Sequence, residues 1–109
     1  MRCACPHEGH AFYKIYAFAR PEPLAGGWDR DRIVREAQEQ GVPCMQGICP
    51  EIYRERAFAG SGLAPERRLS VAQQLGETSI MVPVHPTLDA DEVHRMGEAL
   101  VAVARRAVA

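Results

Sequence analysis

Residues 11–19 read Ala-Phe-Tyr-Lys-Ile-Tyr-Ala-Phe-Ala, a run dense in aromatic and β-favouring residues. The run ends at Arg20-Pro21-Glu22-Pro23, whose prolines interrupt a strand. We therefore predict the first strand of a sheet here, with successive side chains on opposite faces. One face would carry Phe12, Lys14, Tyr16 and Phe18, and the other Tyr13, Ile15, Ala17 and Ala19. Since both sets contain apolar side chains, we expect both faces to be at least partly covered.

Two later runs predict the rest of the sheet. Val42–Gln46 predicts a short strand, in which Pro43 is tolerated only near an edge or a strand start. Ile80–Val84 is an apolar run short enough for a buried strand. The sequence thus predicts three strands.

Helical patterns separate the first two strands and follow the second. Asp29 can cap a helix that Gly41 ends. Its buried face would carry Ile33, Val34 and Ala37. A short helical stretch is predicted at Glu51–Phe58, because Pro50 is tolerated just before a first helical turn.

Two more helices flank the third strand. Ser70 and Gln73 fit a capping box that opens a helix with Gly76 as its stop. Its inward side chains would be Val71, Ala72 and Leu75. The last helix is capped by Thr87 or Asp89. Its inward positions recur at helical spacing and are Val93, Met96, Leu100, Val103, Ala104 and Ala107.

Composition bounds the domain count and the function class. The chain has 109 residues and 12.0 kDa, with 47% apolar and 25% charged residues, which predicts one globular domain over 1–109. A formal net charge of -1 argues against nucleic-acid binding. No 18-residue apolar run or signal core is present, so we expect a soluble, cytoplasmic protein without a membrane partner.

The predicted order β-α-β-α-α-β-α gives an α/β, or α+β, two-layer domain with about four helices packed mainly on one face of the sheet. Its segments resemble those of a known family. They are Gly9–Phe18, Gly41-Val42-Pro43 leading to Pro50, Arg68–Ala72, and Val82–Leu88. Together they resemble the C-terminal small domain of the DegT/DnrJ/EryC1/StrS family, PLP-dependent enzymes that aminate keto-sugars attached to nucleotides. The resemblance runs from about Gly9 to Ala104 and implies a mainly antiparallel three-stranded sheet, as in fold-type I aminotransferases.

The family resemblance also implies that this chain is the C-terminal piece of a larger enzyme of surface-polysaccharide or amino-sugar biosynthesis. Such an enzyme holds pyridoxal phosphate on a lysine, and Lys14 is the sole lysine of this chain. The family's Schiff-base lysine belongs to a preceding large domain, so we expect this chain alone to be inactive and to bind no pyridoxal phosphate. The full-length enzyme would be a homodimer that takes a nucleotide-linked sugar and an amino donor.

Six side chains are candidates for substrate binding. Gln46, Cys49, Glu51 and Tyr53 lie where the second strand turns into a short helix, a position suited to facing a cleft. Many family members carry histidines in this segment that point toward the sugar substrate, whereas this chain has no histidine between Gln46 and Tyr53. Lys14 and His85 are the other two candidates. Each has a structural alternative: Lys14 can extend along apolar surface, Glu51 can charge a helix start, Tyr53 can pack, and His85 can bind a loop carbonyl.

Two other functions remain open at this stage. The chain could be a self-standing α/β module that binds a ligand or a regulatory partner on its open face. It could also be a zinc module, since four soft ligands cluster near the N-terminus, although Cys-x-Cys lacks the usual spacing. These ligands are Cys3, Cys5, His7 and His10. Without a secretory context, we expect reduced thiols rather than disulfides.

Overall fold

A computed structural model describes residues 12–47, 49–58 and 60–108. Its strands are β1 (Lys14–Phe18), β2 (Met45–Gln46) and β3 (Ser79–Pro83). Its α-helices are α1 (Arg30–Glu39), α2 (Ser70–Thr78) and α3 (Ala90–Ala107). Two 3-10 turns, Ile52–Arg54 and Arg56–Phe58, replace the predicted short helix at Glu51–Phe58.

The sheet is antiparallel, with the strand order β1-β3-β2. The apolar run that begins at Ile80 forms the central strand, because it is the one that can be covered on both faces; Ser79, Ile80 and Met81 are buried. Ile15 lies opposite Val82, which places the two side chains on one face. The predicted fold class, an α/β domain with a three-stranded antiparallel sheet, is confirmed.

The core lies between one face of the sheet and the helices α1 and α3. Its buried members are Val34, Ala37, Val42, Cys44, Ile80 and Val103. In α3, Met96 and Leu100 pack against this core as predicted, but Val93 is 54% exposed and Ala104 is exposed. These two residues lie roughly 80–100° around the helix from Val103, at the margin of the apolar stripe.

The ends of α1 and α3 follow their sequence signals. Asp29 Oδ1 accepts a hydrogen bond from the Arg32 backbone N–H at 2.7 Å, and Gly41 follows the end of α1 with a φ of 81°. In α3, the Asp89 side chain accepts from the Glu92 N–H while the Glu92 carboxylate accepts from the Asp89 N–H. This capping box satisfies two backbone donors that the helix cannot pair itself.

Helix α2 departs from its prediction at both ends. Leu69 is the residue before the helix and no side chain caps it, so the Ser70/Gln73 capping box is wrong. Gly76 lies inside the helix and does not end it. A larger residue does not fit at this position, because a Cβ there would come within 2.4 Å of Pro50 Cγ. Glycine is therefore used for close packing, and not as a helix stop.

The predicted inward side of α2 is wrong for Val71 and Leu75, whereas Ala72 is half-buried. Val71 is 67% exposed and Leu75 is 42% exposed. The helix packs through the side of Gly76 against Pro50, and Val71 lies roughly 140° around the helix from that contact.

The flanking strands are shorter and more exposed than predicted. Only Met45–Gln46 of the predicted strand Val42–Gln46 pairs in the sheet. Ala17 and Phe18 in β1 are exposed because β1 is an edge strand, so the expectation that both of its faces are covered holds only in part. Among the described residues, no helix is long and apolar enough to cross a membrane.

Candidate functional site

Glu51 is the centre of a polar cluster that joins the 3-10 turns to the start of α2. Arg68 donates from Nε to Glu51 Oε1 at 2.7 Å and from Nη2 to Oε2 at 2.6 Å. The Tyr53 hydroxyl donates to the same Oε1 at 2.6 Å. Arg54 Nη1 lies 3.5 Å from Oε2. The carboxylate side chain is only 12% exposed, so its charge is balanced by partners rather than by bulk water.

The same contacts set the electrostatics of the cluster. The hydrogen bonds from Arg68, and next from Tyr53, lower the pKa of Glu51 from 4.5 to about 2. The Glu51 carboxylate in turn raises the pKa of Arg68. Partial burial, followed by the bond to Glu51, raises the pKa of Tyr53. At neutral pH the cluster therefore holds a carboxylate, a guanidinium and a neutral phenol.

Tyr53 also supports the start of α2. Its hydroxyl oxygen accepts from the Leu69 N–H at 3.0 Å, while its proton goes to Glu51. The structure thus brings two predicted site residues, Glu51 and Tyr53, into direct contact. Their polar atoms bind each other, Arg68 and the backbone.

Gln46 belongs to a second polar chain, at the edge of β2. Its Nε2 donates to Asp31 Oδ1 at 3.0 Å, and Arg30 Nε donates to the same oxygen at 2.6 Å. Arg30 Nη1 donates to the carbonyl oxygens of Gly76 at 2.9 Å and Ser79 at 2.8 Å. Gln46 also lines a groove of about 500 Å³ beside α1. This chain of contacts links α1, β2, the end of α2 and β3.

Cys49 and Cys44 are free thiols in different surroundings. The exposed Cys49 thiol donates to Glu55 Oε1 at 3.2 Å, and this bond is the main reason that its pKa is raised. Cys44 is buried, which raises the pKa of its thiol. Neither thiol is poised as a thiolate nucleophile.

The described residues hold no group of three or more His, Cys, Asp or Glu side chains placed to bind a metal ion. The N-terminal ligand cluster of the zinc alternative lies outside the described residues and stays a prediction. Its members are Cys3, Cys5, His7 and His10.

Lys14 and His85 lie at one end of the β1–β3 ladder. Lys14 pairs with Pro83, and its Nζ lies 4.9 Å from the centre of the Tyr13 ring. His85 follows β3, where its Nδ1 is 2.7 Å from Thr87 Oγ1. Gln46 pairs with Ile80, which lies three residues, or about 10 Å, before Pro83 in β3. The structure therefore brings Glu51 and Tyr53 together at the 3-10 turns, and it places Lys14 and Gln46 at different positions in the sheet.

Sequence reasoning missed Arg30, Asp31 and Arg68. The alternating charges at residues 29–32 resemble a solvated helix face, yet the Arg30 side chain is 11% exposed. Arg68 lies 17 residues from Glu51, so no local spacing connects them. A buried carboxylate needs a cationic partner, but nothing local in the sequence shows that Glu51 is buried, so the sequence carries no signal for Arg68.

The solved structures that match this chain include the X-ray structure of an aminotransferase from Psychrobacter cryohalolentis. It is 47% identical to this chain over 91% of the chain, and the two folds superpose with a TM-score of 0.85. The chain is similar to part of an aminotransferase. It spans about 25% of that relative's length. Scans of protein-family models and of curated proteins found no match.

Pyridoxal phosphate, the cofactor that the family resemblance implies, does not fit the residues that the structure describes, 12–47, 49–58 and 60–108. A phosphate would bind at the amino end of a helix. The amino ends of α1 and α3 are capped by the carboxylates of Asp29 and Asp89, and at the start of α2 the Leu69 N–H donates to the Tyr53 hydroxyl. Lys14 is the sole lysine and the first residue of β1. Its Nζ lies 4.9 Å from the centre of the Tyr13 ring. The described residues thus place no phosphate cradle beside a Schiff-base lysine.

Proposed function

We propose that this chain acts as the C-terminal small-domain lobe of a PLP-dependent aminotransferase of the DegT/DnrJ/EryC1/StrS type. The observation that carries the proposal is the 47% identity and TM-score of 0.85 to a quarter of an aminotransferase. A larger part would hold pyridoxal phosphate, its lysine and its phosphate cradle. This lobe would close one side of the cleft in a homodimeric enzyme.

The proposed substrate is a keto-sugar linked to a nucleotide, in surface-polysaccharide or amino-sugar biosynthesis. The four segments from Gly9 to Leu88 that resemble the family support this substrate class. The residues proposed to line the substrate side are Lys14, Gln46, Cys49, Glu51, Tyr53 and His85. Of these, Glu51 and Tyr53 would also shape the adjoining turn. An amino donor would use the same cleft.

An exposed apolar face supports docking of the larger part. Phe18 is 54% exposed and lies with Leu75 along a groove of about 520 Å³ between the end of β1 and α2. Val71 lies one turn before Leu75 and is 67% exposed. A nine-residue helix is marginal without tertiary packing, so α2 gains stability from a cover on this side. We propose that the larger part of the aminotransferase is that cover.

Absorbance spectroscopy with pyridoxal phosphate tests the division of labour. The chain alone should give no imine band, because its single lysine has no cofactor cradle. A chimera in which this chain replaces the matching quarter of the Psychrobacter cryohalolentis aminotransferase should bind the cofactor and show the band. An imine band on the chain alone that Lys14→Ala removes would contradict the proposal.

A further inference from the structure

A second apolar strip lies on α3, on the side away from the core. Val93 is 54% exposed and Val101 is 49% exposed, and both line an open groove of about 610 Å³. Val101 lies roughly 160° around the helix from the buried Val103. Gly97 lies between the two valines at four-residue spacing, so all three residues share one face. These three residues form the outer face of α3.

Gly97 allows a close approach to the backbone at the middle of this face. A glycine inside a helix destabilises it relative to alanine. A Cβ at Gly97 would meet nothing within 4 Å, so the packing among the described residues does not require a glycine here. A second helix that packs closely on the outer face gives this glycine a structural role.

Charged residues along one edge of the outer face are arranged to fit a copy of the same helix. Asp91, Glu98 and Arg105 recur every seven residues, so they lie on the same side of α3. Within the described part of the chain, neither Asp91 nor Arg105 makes an ion pair, and Glu98 lies 3.4 Å from the exposed ring of His94. Because two acids precede one base, the edge is complementary to itself when two copies run in opposite directions. Antiparallel helix dipoles favour the same orientation.

We propose that the outer face of α3 binds α3 of a second copy of this chain in an antiparallel, two-fold symmetric pair. The register that places Gly97 of each copy opposite Val101 of the other overlaps nearly the whole helix. At 1.5 Å per residue, Arg105 of each copy is then about 3 Å along the axis from Asp91 of the other copy and about 8 Å from its Glu98. The same patch serves on both copies, as a two-fold interface requires.

The size of the helix predicts a weak pair. The 18 residues of α3 span about 27 Å, and one pair of such helices covers less area than the roughly 1,200–2,000 Å² of a stable interface. We therefore expect the chain to dimerise with a dissociation constant of about 10–100 µM. The pair does not depend on the proposed function, because every residue in it belongs to this chain.

Sedimentation equilibrium of the chain from about 5 to 500 µM tests this pair. We expect a monomer–dimer equilibrium that Val101→Asp weakens about tenfold or more, because the contact would then bury two unpaired carboxylates. Val71→Asp is the matched control, since it makes the same change at a 67% exposed position on α2. It should change the dissociation constant less than about twofold. Far-UV circular dichroism of each variant establishes that it is folded.

Two charge variants test the antiparallel orientation. Arg105→Glu and Asp91→Arg should each weaken self-association about fivefold, since each places like charges opposite each other. An equimolar mixture of the two variants should associate as tightly as the unmodified chain, because both pairs across the mixed contact again join opposite charges. Added salt should reduce these differences.

Three results would overturn the proposal: a chain that stays monomeric at about 500 µM, equal effects of Val71→Asp and Val101→Asp, or a mixture no tighter than the separate charge variants. Loss of cofactor binding by a chimera that carries Val101→Asp would also overturn it, since the larger part of the aminotransferase would then cover this face. The sedimentation results do not bear on amino transfer by the chimera, so failure of this pair and failure of the proposed function are distinguishable.

Discussion

Replacing Gly76 by alanine tests the contact that fixes α2 against the turn at Pro50. A glycine-to-alanine change inside a helix stabilises by about 1 kcal/mol through helix propensity alone. At Gly76 the added Cβ would lie 2.4 Å from Pro50 Cγ, and overpacking of this kind costs about 1–3 kcal/mol. We therefore expect Gly76→Ala to leave the free energy of unfolding unchanged or to lower it by up to about 2 kcal/mol.

Gly97 in α3 provides the matched control. A Cβ at Gly97 meets nothing within 4 Å, so Gly97→Ala should raise the free energy of unfolding by about 1 kcal/mol. Urea denaturation followed by far-UV circular dichroism measures both variants, and their difference should be about 1–3 kcal/mol. In a Pro50→Ala background, Gly76→Ala should behave like Gly97→Ala. Equal stabilisation by both changes in the unmodified chain would refute the close-packing argument.

Three further predictions concern Glu51, Cys49 and Arg30. Because folding lowers the pKa of Glu51 from 4.5 to about 2, its contribution to the free energy of unfolding is complete above pH 4.5 and is lost as the pH falls towards 2. Glu51→Gln should therefore flatten the acid side of the curve of unfolding free energy against pH. An unchanged acid side would argue against the cluster. Because the hydrogen bond to Glu55 raises the pKa of Cys49, this thiol should react with iodoacetamide at pH 8 more slowly than a free cysteine. Glu55→Gln should speed the reaction. An unchanged rate would show that the hydrogen bond between Cys49 and Glu55 is not formed in solution. Arg30→Met should lower the free energy of unfolding by about 1–3 kcal/mol, since the Ser79 carbonyl loses a charged donor; a change under about 0.5 kcal/mol in urea denaturation would contradict this role.

Features that depend on neighbours in sequence could be predicted. The Asp29 and Asp89 caps need only a side chain and an N–H three residues on, so their signals are complete within one turn. The run of β-favouring residues at 11–19 likewise predicted a strand, and β1 (Lys14–Phe18) lies within it. These elements define the fold class before any tertiary contact is known.

The errors arise where distant residues decide the local structure. The start of α2 is fixed by Tyr53, whose hydroxyl holds the Leu69 N–H from 16 residues away. Gly76 looks like a helix stop, but its role comes from Pro50. The alternating charges around Arg30 are typical of a solvated helix face, yet Arg30 donates to the Ser79 carbonyl, 49 residues on. Such contacts leave no periodic trace in the sequence.

The candidate site shows the same division. Glu51 and Tyr53 could be singled out because they lie at a strand-to-helix turn, where loops present functional side chains. Their partner Arg68 could not be assigned from the sequence, since all twelve arginines carry the same charge and nothing local marks one of them as the partner of Glu51. The contacts of Glu51 favour a role in holding Arg68 and Tyr53 beside the start of α2.

The rate of amino transfer by the chimera is the most direct test of the account. In this chimera the present chain replaces the matching quarter of the Psychrobacter cryohalolentis aminotransferase, and the unmodified relative and the relative lacking that quarter are the references. At 47% identity and a TM-score of 0.85, we expect the chimera to retain amino transfer within about tenfold of the unmodified relative, while the shortened relative has none. A folded chimera that binds pyridoxal phosphate but transfers no amino group above the shortened relative would contradict the account.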